Sequence, residues 1–125
     1  MNIEEKDRSF SILKYEADKN YSREVVKIAQ GQNLKMGSVV GQITANGKYK
    51  EVSITENETD GSDSAVGVVL QDVDATEASK EGLIVARDAI VIESKIIYPE
   101  EATAEQKKKI LSDLEKRGIV VRQGV

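Results

Sequence analysis

Ile43-Thr44-Ala45-Asn46-Gly47-Lys48-Tyr49-Lys50-Glu51-Val52 decides how the chain reads. Asn-Gly supplies the two positive-φ positions of a type I′ turn, and Ile43/Thr44 and Tyr49/Val52 flank it with strand-forming residues. The stretch predicts a tight β-hairpin. Upstream, Gly37 punctuates before Ser38-Val39-Val40-Gly41-Gln42, the run leading into it. Further back, Arg23 to Ala29 carries Val25, Val26 and Ile28, β-branched residues that suit a pleated, half-buried surface. Gly31-Gln32-Asn33 reads as a break between these strands.

Downstream, Asn57 to Ser64 is rich in turn residues and contains Asp60-Gly61. Ala65-Val66-Gly67-Val68-Val69-Leu70 then forms a strand that runs into an acidic turn from Asp72 to Glu81. Leu83-Ile84-Val85-Ala86 leads through Arg87-Asp88 to Ala89-Ile90-Val91-Ile92. These runs are too rich in Val and Ile, and too closely bounded by turns, for helix. Short strands with turn signals at intervals of about ten residues predict a compact β body.

A helix stands apart near the C-terminus, predicted at about 103–117. Thr103-Ala104-Glu105-Gln106 is a capping box, with Thr103 as N-cap and Gln106 at N3. Ile110, Leu111 and Leu114 make one apolar stripe. Gly118 suits C′, and Ile119 can close on Leu114 in a Schellman end. Acids at the start and Lys116/Arg117 at the end match the helix dipole. Ile119-Val120-Val121-Arg122 reads as a last strand.

Composition narrows the function. The 125 residues include no His, Cys or Trp. Without His the chain lacks the side chain whose ordinary pKa lies near neutrality, and without Cys it lacks thiolates and disulfides. Both absences argue against an enzyme, and no cofactor or metal is implied. The N-terminal Met1-Asn2-Ile3-Glu4-Glu5-Lys6-Asp7-Arg8 lacks the apolar core of a signal peptide, and no run is long and apolar enough to span a membrane. Synthesis in a reducing cytoplasm is the expectation, with no membrane partner. Between Glu51 and Glu81 nine acids face Lys80 alone, a local charge of -8 within a total of -4. Nucleic acid would be repelled there.

Four places carry candidate chemistry. Asp72-Val73-Asp74 with Glu77 clusters carboxylates but lacks the spacing and central Gly of a calcium loop, so an acidic turn is the better reading. Ser62-Asp63-Ser64 offers a hydroxyl beside a carboxylate, but only a Lys could serve as its base, and Lys80 would do so only by coincidence of folding; a solvated turn is the better reading. Lys107-Lys108-Lys109 spreads around a helical turn and reads as a solvated face. Gly37, Gly41 and Gly47 match no phosphate-binding fingerprint and read as turn and bulge glycines.

Residues 1–22 differ from the rest. Charges alternate in sign, then Phe10, Ile12, Leu13 and Tyr15 precede the turn-like Asp18-Lys19-Asn20 and Tyr21. Two readings stay open on composition: a frayed terminus with a short edge strand, or an arm that orders by adding a strand to a partner's sheet.

Several segments, in order, resemble the tailed-phage head decoration protein family, typified by the protein of phage lambda. They are Gly37-Ser38-Val39-Val40-Gly41 with Asn46-Gly47-Lys48-Tyr49; Asp60-Gly61 followed by Ala65-Val66-Gly67-Val68-Val69; Gly82 to Ala89; and Tyr98-Pro99-Glu100 leading through Ala102 to Lys107-Lys108. Tyr98 stands where the lambda-type sequence has Trp. The resemblance covers about residues 23–125. It implies a mainly β fold of the β-clip type (α+β, with one helix) and assembly as a homotrimer. It also implies a site on the outer surface of the expanded head, at three-fold and quasi-three-fold positions. There the trimer would clamp the major capsid protein against internal DNA pressure. Residues 1–22 would then be the capsid-binding arm, with Phe10, Ile12, Leu13, Tyr15 and Tyr21 as its contacts, and 23–125 the decoration domain. The alternative is a small β-rich binding module or fibre-like domain for a carbohydrate or host protein. Four Tyr and one Phe are few for such a pocket.

Overall fold

The computed structural model describes residues 13–16, 22–54 and 60–123. In chain order the elements are β1 (Leu13–Glu16), β2 (Arg23–Ile28), β3 (Gln32–Leu34), β4 (Val39–Gln42) and β5 (Tyr49–Glu51). Then come β6 (Gly67–Val69), β7 (Val73–Ala75), β8 (Lys80–Val85), β9 (Ala89–Ile92), a 3-10 turn (Glu93–Lys95), α1 (Ala104–Glu115) and β10 (Ile119–Arg122). The protein is thus mainly β with a helix near the C-terminus.

Consecutive apolar residues in single strands organise the architecture. Strands β2-β5-β4-β6-β8 close into a barrel, while β1-β9-β10 form a separate sheet and β3-β7 a two-stranded one. Successive side chains of a strand point to opposite faces. Val40, Val69 and Ile84 therefore join Val26, Ile28, Leu34, Val73 and Ala75 in an inner cluster, on which half-buried Tyr49 packs. Their neighbours Val39, Val68 and Val85 point the other way, into an outer cluster with Ala89, Val91, Ile110, Leu114 and Ile119. Strands covered on both faces need apolar residues at every position, which is why these runs do not alternate. Burying each Val, Leu or Ile contributes about 1.5–3 kcal/mol before conformational entropy is subtracted.

The outer cluster is roofed by β9, α1 and β10. Strand β10 runs parallel to β9, from Ile119↔Ala89 to Arg122↔Ile92. Parallel neighbours need a crossover connection, and α1 supplies it. The capping box is complete: Gln106 N–H donates to Thr103 Oγ1 (3.2 Å) and Thr103 N–H to Gln106 Oε1 (2.8 Å). Ile110 and Leu114 are buried and Leu111 half-buried, as the stripe implied. At the C-terminal end, Arg117 and Gly118 N–H donate to Leu114 and Glu115 O, tightening the turn, and Gly118 takes φ +80°.

Three local expectations are corrected. The Asn46-Gly47 turn is not type I′, because Gly47 alone has positive φ (+72°). Instead Thr44 to Gly47 form a four-residue loop closed by Ile43 N–H to Lys48 O, with Gly47 N–H returning to Ile43 O, both 2.8 Å. The supposed break at Gln32-Asn33 is strand β3, paired antiparallel with β7 inside the supposed acidic turn, from Gln32↔Ala75 to Leu34↔Val73. Val73 and Ala75 are buried between exposed Asp72, Asp74 and Thr76. Ser62 is fully buried rather than solvated.

Strand β1 lies within the stretch assigned to the arm. It pairs antiparallel with β9 (Leu13↔Val91, Tyr15↔Ile90, Glu16↔Ala89), and Leu13, only 7% exposed, sits in the outer cluster.

Candidate functional site

Ten of the residues that carry the family resemblance lie at three places. The first joins the β4–β5 loop to the turn at Asp60. Thr44 N–H donates to Asp60 O (2.8 Å), and Lys50 Nζ lies 3.2 Å from Asp60 Oδ2. Asp60 Oδ1 accepts both Ser62 N–H (2.9 Å) and Ser62 Oγ–H (2.5 Å). These two bonds, and then Lys50, hold the Asp60 carboxyl down to about 2. Gly61, at φ +97°, turns the chain where a side chain would strike Thr44. Asn46 is exposed at the loop tip, its Oδ1 accepting Lys48 N–H (2.9 Å).

The second place is the start of β6. Ala65 is buried in the outer cluster, and its N–H donates to Asp113 Oδ2 (3.3 Å), which also meets Lys109 Nζ at 3.0 Å. Val66 N–H donates to Val40 O (2.8 Å), and Gly67 pairs with Val40. A Cβ on Gly67 would press on Ile84 (2.8 Å), so glycine lets β6 close the barrel.

Tyr98, Pro99 and Glu100 are the third, leading into α1. Tyr98 packs half-buried on the outer cluster, with Lys107 Nζ 5.3 Å from its ring centroid, within cation–π range. Burial, and secondarily Glu93, raises the Tyr98 hydroxyl. Burial, and secondarily the charge of Glu100, raises the Glu51 carboxyl. Gln106 Nε2 donates to Ile54 O (3.1 Å), tying the helix to the segment after β5.

These groups are engaged with one another. The Ser62 hydroxyl is bonded to the Asp60 carboxylate, which makes it a strut; Lys80 acts on Asp74 instead. Lys109, read as part of a solvated face, also holds Asp63 O (2.8 Å). Among the described residues, no group of three or more His, Cys, Asp and Glu is arranged to hold a metal, and no helix is long and apolar enough to cross a membrane. What remains is surface. Two open depressions are lined by Ser64, Ala65, Val66, Asp113, Lys116 and Arg117, and by Glu93, Ser94, Tyr98 and Gln123. Val25 (65%) and Ile97 (42%) are the exposed large hydrophobic side chains among the described residues.

Of the expected arm contacts, Phe10, Ile12 and Tyr21 lie outside the described residues. Leu13 is in the core, and Tyr15 pairs with β9 through its backbone. Sequence reasoning missed Lys50 and Asp113 and read Ser62 as part of a solvated turn, yet these groups lock the motif segments together. Ser62 two residues after Asp60 was a signal, because Asp side chains cap backbone N–H groups two residues on. Asp113, 48 residues from Ala65, left none.

The family model for the bacteriophage lambda head decoration protein D matches residues 2–119 of the chain. No curated protein matches it significantly.

Proposed function

The chain belongs to the bacteriophage lambda head decoration protein D family, and from that premise we propose how it acts on the phage capsid. It is a homotrimer of β-clip-type subunits that binds the outer surface of the expanded head at three-fold and quasi-three-fold sites. There it ties neighbouring major capsid protein subunits together against the pressure of packaged DNA. The observation that carries this reading is the extent of the match, which spans nearly the whole chain from residue 2. The protein works by binding alone, made in the bacterial cytoplasm and carried on the virion.

The engaged side chains of the body support a role played by shape. Strand addition gives affinity through main-chain hydrogen bonds, and three linked arms raise the effective concentration of one another. The arm is the segment before the body, and it adds a strand to the coat protein. Because Leu13 is buried in the chain's own outer cluster, we set the arm at residues 1–12, with Phe10 and Ile12 as its apolar contacts. Ser9 and Ser11 alternate with them, the period-2 pattern of a strand with one apolar face.

Sedimentation with heads of the cognate phage tests this. The full chain, a trimer by light scattering, co-sediments with expanded heads and not with unexpanded ones. The chain lacking residues 1–12 keeps its fold and oligomeric state but stays in the supernatant. A monomer, or truncated protein that still saturates heads, overturns the trimer or the arm respectively.

A further inference from the structure

We propose that Asn46 is a self-modification site, at which the amide nitrogen of Gly47 displaces ammonia from the Asn46 side chain to form a cyclic imide that water opens to aspartate or isoaspartate. The Gly47 N–Cγ bond of Asn46 forms, the Cγ–Nδ2 bond breaks, and the Gly47 amide proton passes to solvent as ammonia leaves. Water then cleaves one of the two imide C–N bonds. Cleavage at Cγ leaves aspartate. Cleavage at the main-chain carbonyl leaves isoaspartate and lengthens the backbone by one methylene.

The sequence singles out the position. The asparagines are Asn2, Asn20, Asn33, Asn46 and Asn57, followed by Ile3, Tyr21, Leu34, Gly47 and Glu58. Only at Asn46 does the attacking nitrogen belong to a residue without a Cβ, so only there is its approach unhindered. Asn46 is exposed at the loop tip, open to water and base.

The fold restrains the reaction without preventing it. Gly47 N–H is held by Ile43 O at 2.8 Å, and Asn46 Oδ1 accepts Lys48 N–H at 2.9 Å. Gln42 Nε2 donates to Gly47 O at 3.1 Å, tying down the next peptide, whose N–H Asn46 Oδ1 accepts. The nitrogen can attack only when the loop opens, so the reaction rate reads the opening of this loop. The Asp60-Gly61 pair is a built-in contrast. Its leaving group would be water, which requires a protonated carboxyl, and Ser62 and Lys50 keep that carboxyl ionised. Asp60 stays as it is while Asn46 converts.

The product matters for the barrel. Lys48 precedes β5, and β5 meets β2 through the single pair Ile28↔Tyr49. An extra methylene in the loop shifts the strand that closes the barrel, whereas aspartate changes only charge.

The experiment ages the full-length protein in mildly alkaline buffer, with and without urea, and locates products by peptide mass spectrometry and isoaspartate detection. Conversion is expected at Asn46 before any other asparagine, and about 10- to 100-fold more slowly in the folded protein than in urea, the ratio set by local opening. Gln42→Ala should speed the folded reaction several-fold and leave the urea rate unchanged. Asn46→Asp should melt close to the parent protein, while the isoaspartate fraction melts lower. Earlier conversion elsewhere, equal rates in the two conditions, or an Asn46 still intact in folded protein after several hundred urea half-times would overturn the proposal.

Discussion

Strand β2 is held unequally on its two sides. Six pairs join it to β8, from Arg23↔Val85 to Ile28↔Lys80, and one joins it to β5. The β8 side continues under the helix roof, where Leu83 and Val85 meet the outer cluster. The β5 side closes through Ala29 N–H to Tyr49 O (2.8 Å) and through packing of Tyr49 on the inner cluster. On the same strand Val25 faces solvent. One wall of the barrel is thus fixed by a ladder and two hydrophobic layers, the other by one ladder rung and one layer. Local stability follows buried apolar contacts and protected backbone bonds, so the seam should open first and the roofed wall last.

Leu114→Ala strikes the roofed wall and should have the largest effect. Leu114 is fully buried, and truncation should cost about 2–5 kcal/mol in urea unfolding. A cost within experimental error would mean the helix does not hold the outer cluster together. Asp60 braces the turn beside the seam and gives a smaller, pH-dependent effect. Its carboxyl titrates at about 2 in the fold against 3.8 ordinarily. The stabilisation is therefore complete above the ordinary value and is lost as pH falls through about 2. Asp60→Asn should flatten the stability profile in that acid window; an unchanged profile would show that the bonds to Ser62 add nothing. Val25→Ala should be smallest, within about 0.5 kcal/mol, because the side chain already faces water. A larger loss would place Val25 against something the isolated subunit does not supply. Amide exchange completes the set, with Tyr49 N–H exchanging faster than the β8 amides opposite β2.

The helix was legible because its signals are local. Thr103, Gln106 and Gly118 mark its ends, and the observed Ala104–Glu115 lies inside the predicted span. The doubly buried strands were legible as apolar runs, since Val39-Val40 and Val68-Val69 leave no polar face. What failed was pairing. Nothing between Gln32 and Leu34 announces a strand until β7 is beside it, and the acids at Asp72 and Asp74 masked the alternation of Val73 and Ala75. The loop at Asn46 differs from the expected turn because the strands stay bonded only as far as Ile43 and Lys48, leaving four residues where a type I′ turn needs two. Leu13 was assigned by its place in the chain, whereas its burial depends on β9, far along the sequence. Of the motif residues, Asp60 and Tyr98 were found, but the side chains that brace them were not, since those contacts exist only once the sheets assemble.

In the proposed role, the protein stabilises a capsid by binding across it. Heads of the cognate phage, filled with DNA and stripped of the protein, should release DNA at a lower temperature than the same heads after it is added back. Equal release temperatures with the protein bound at saturation would rule that role out.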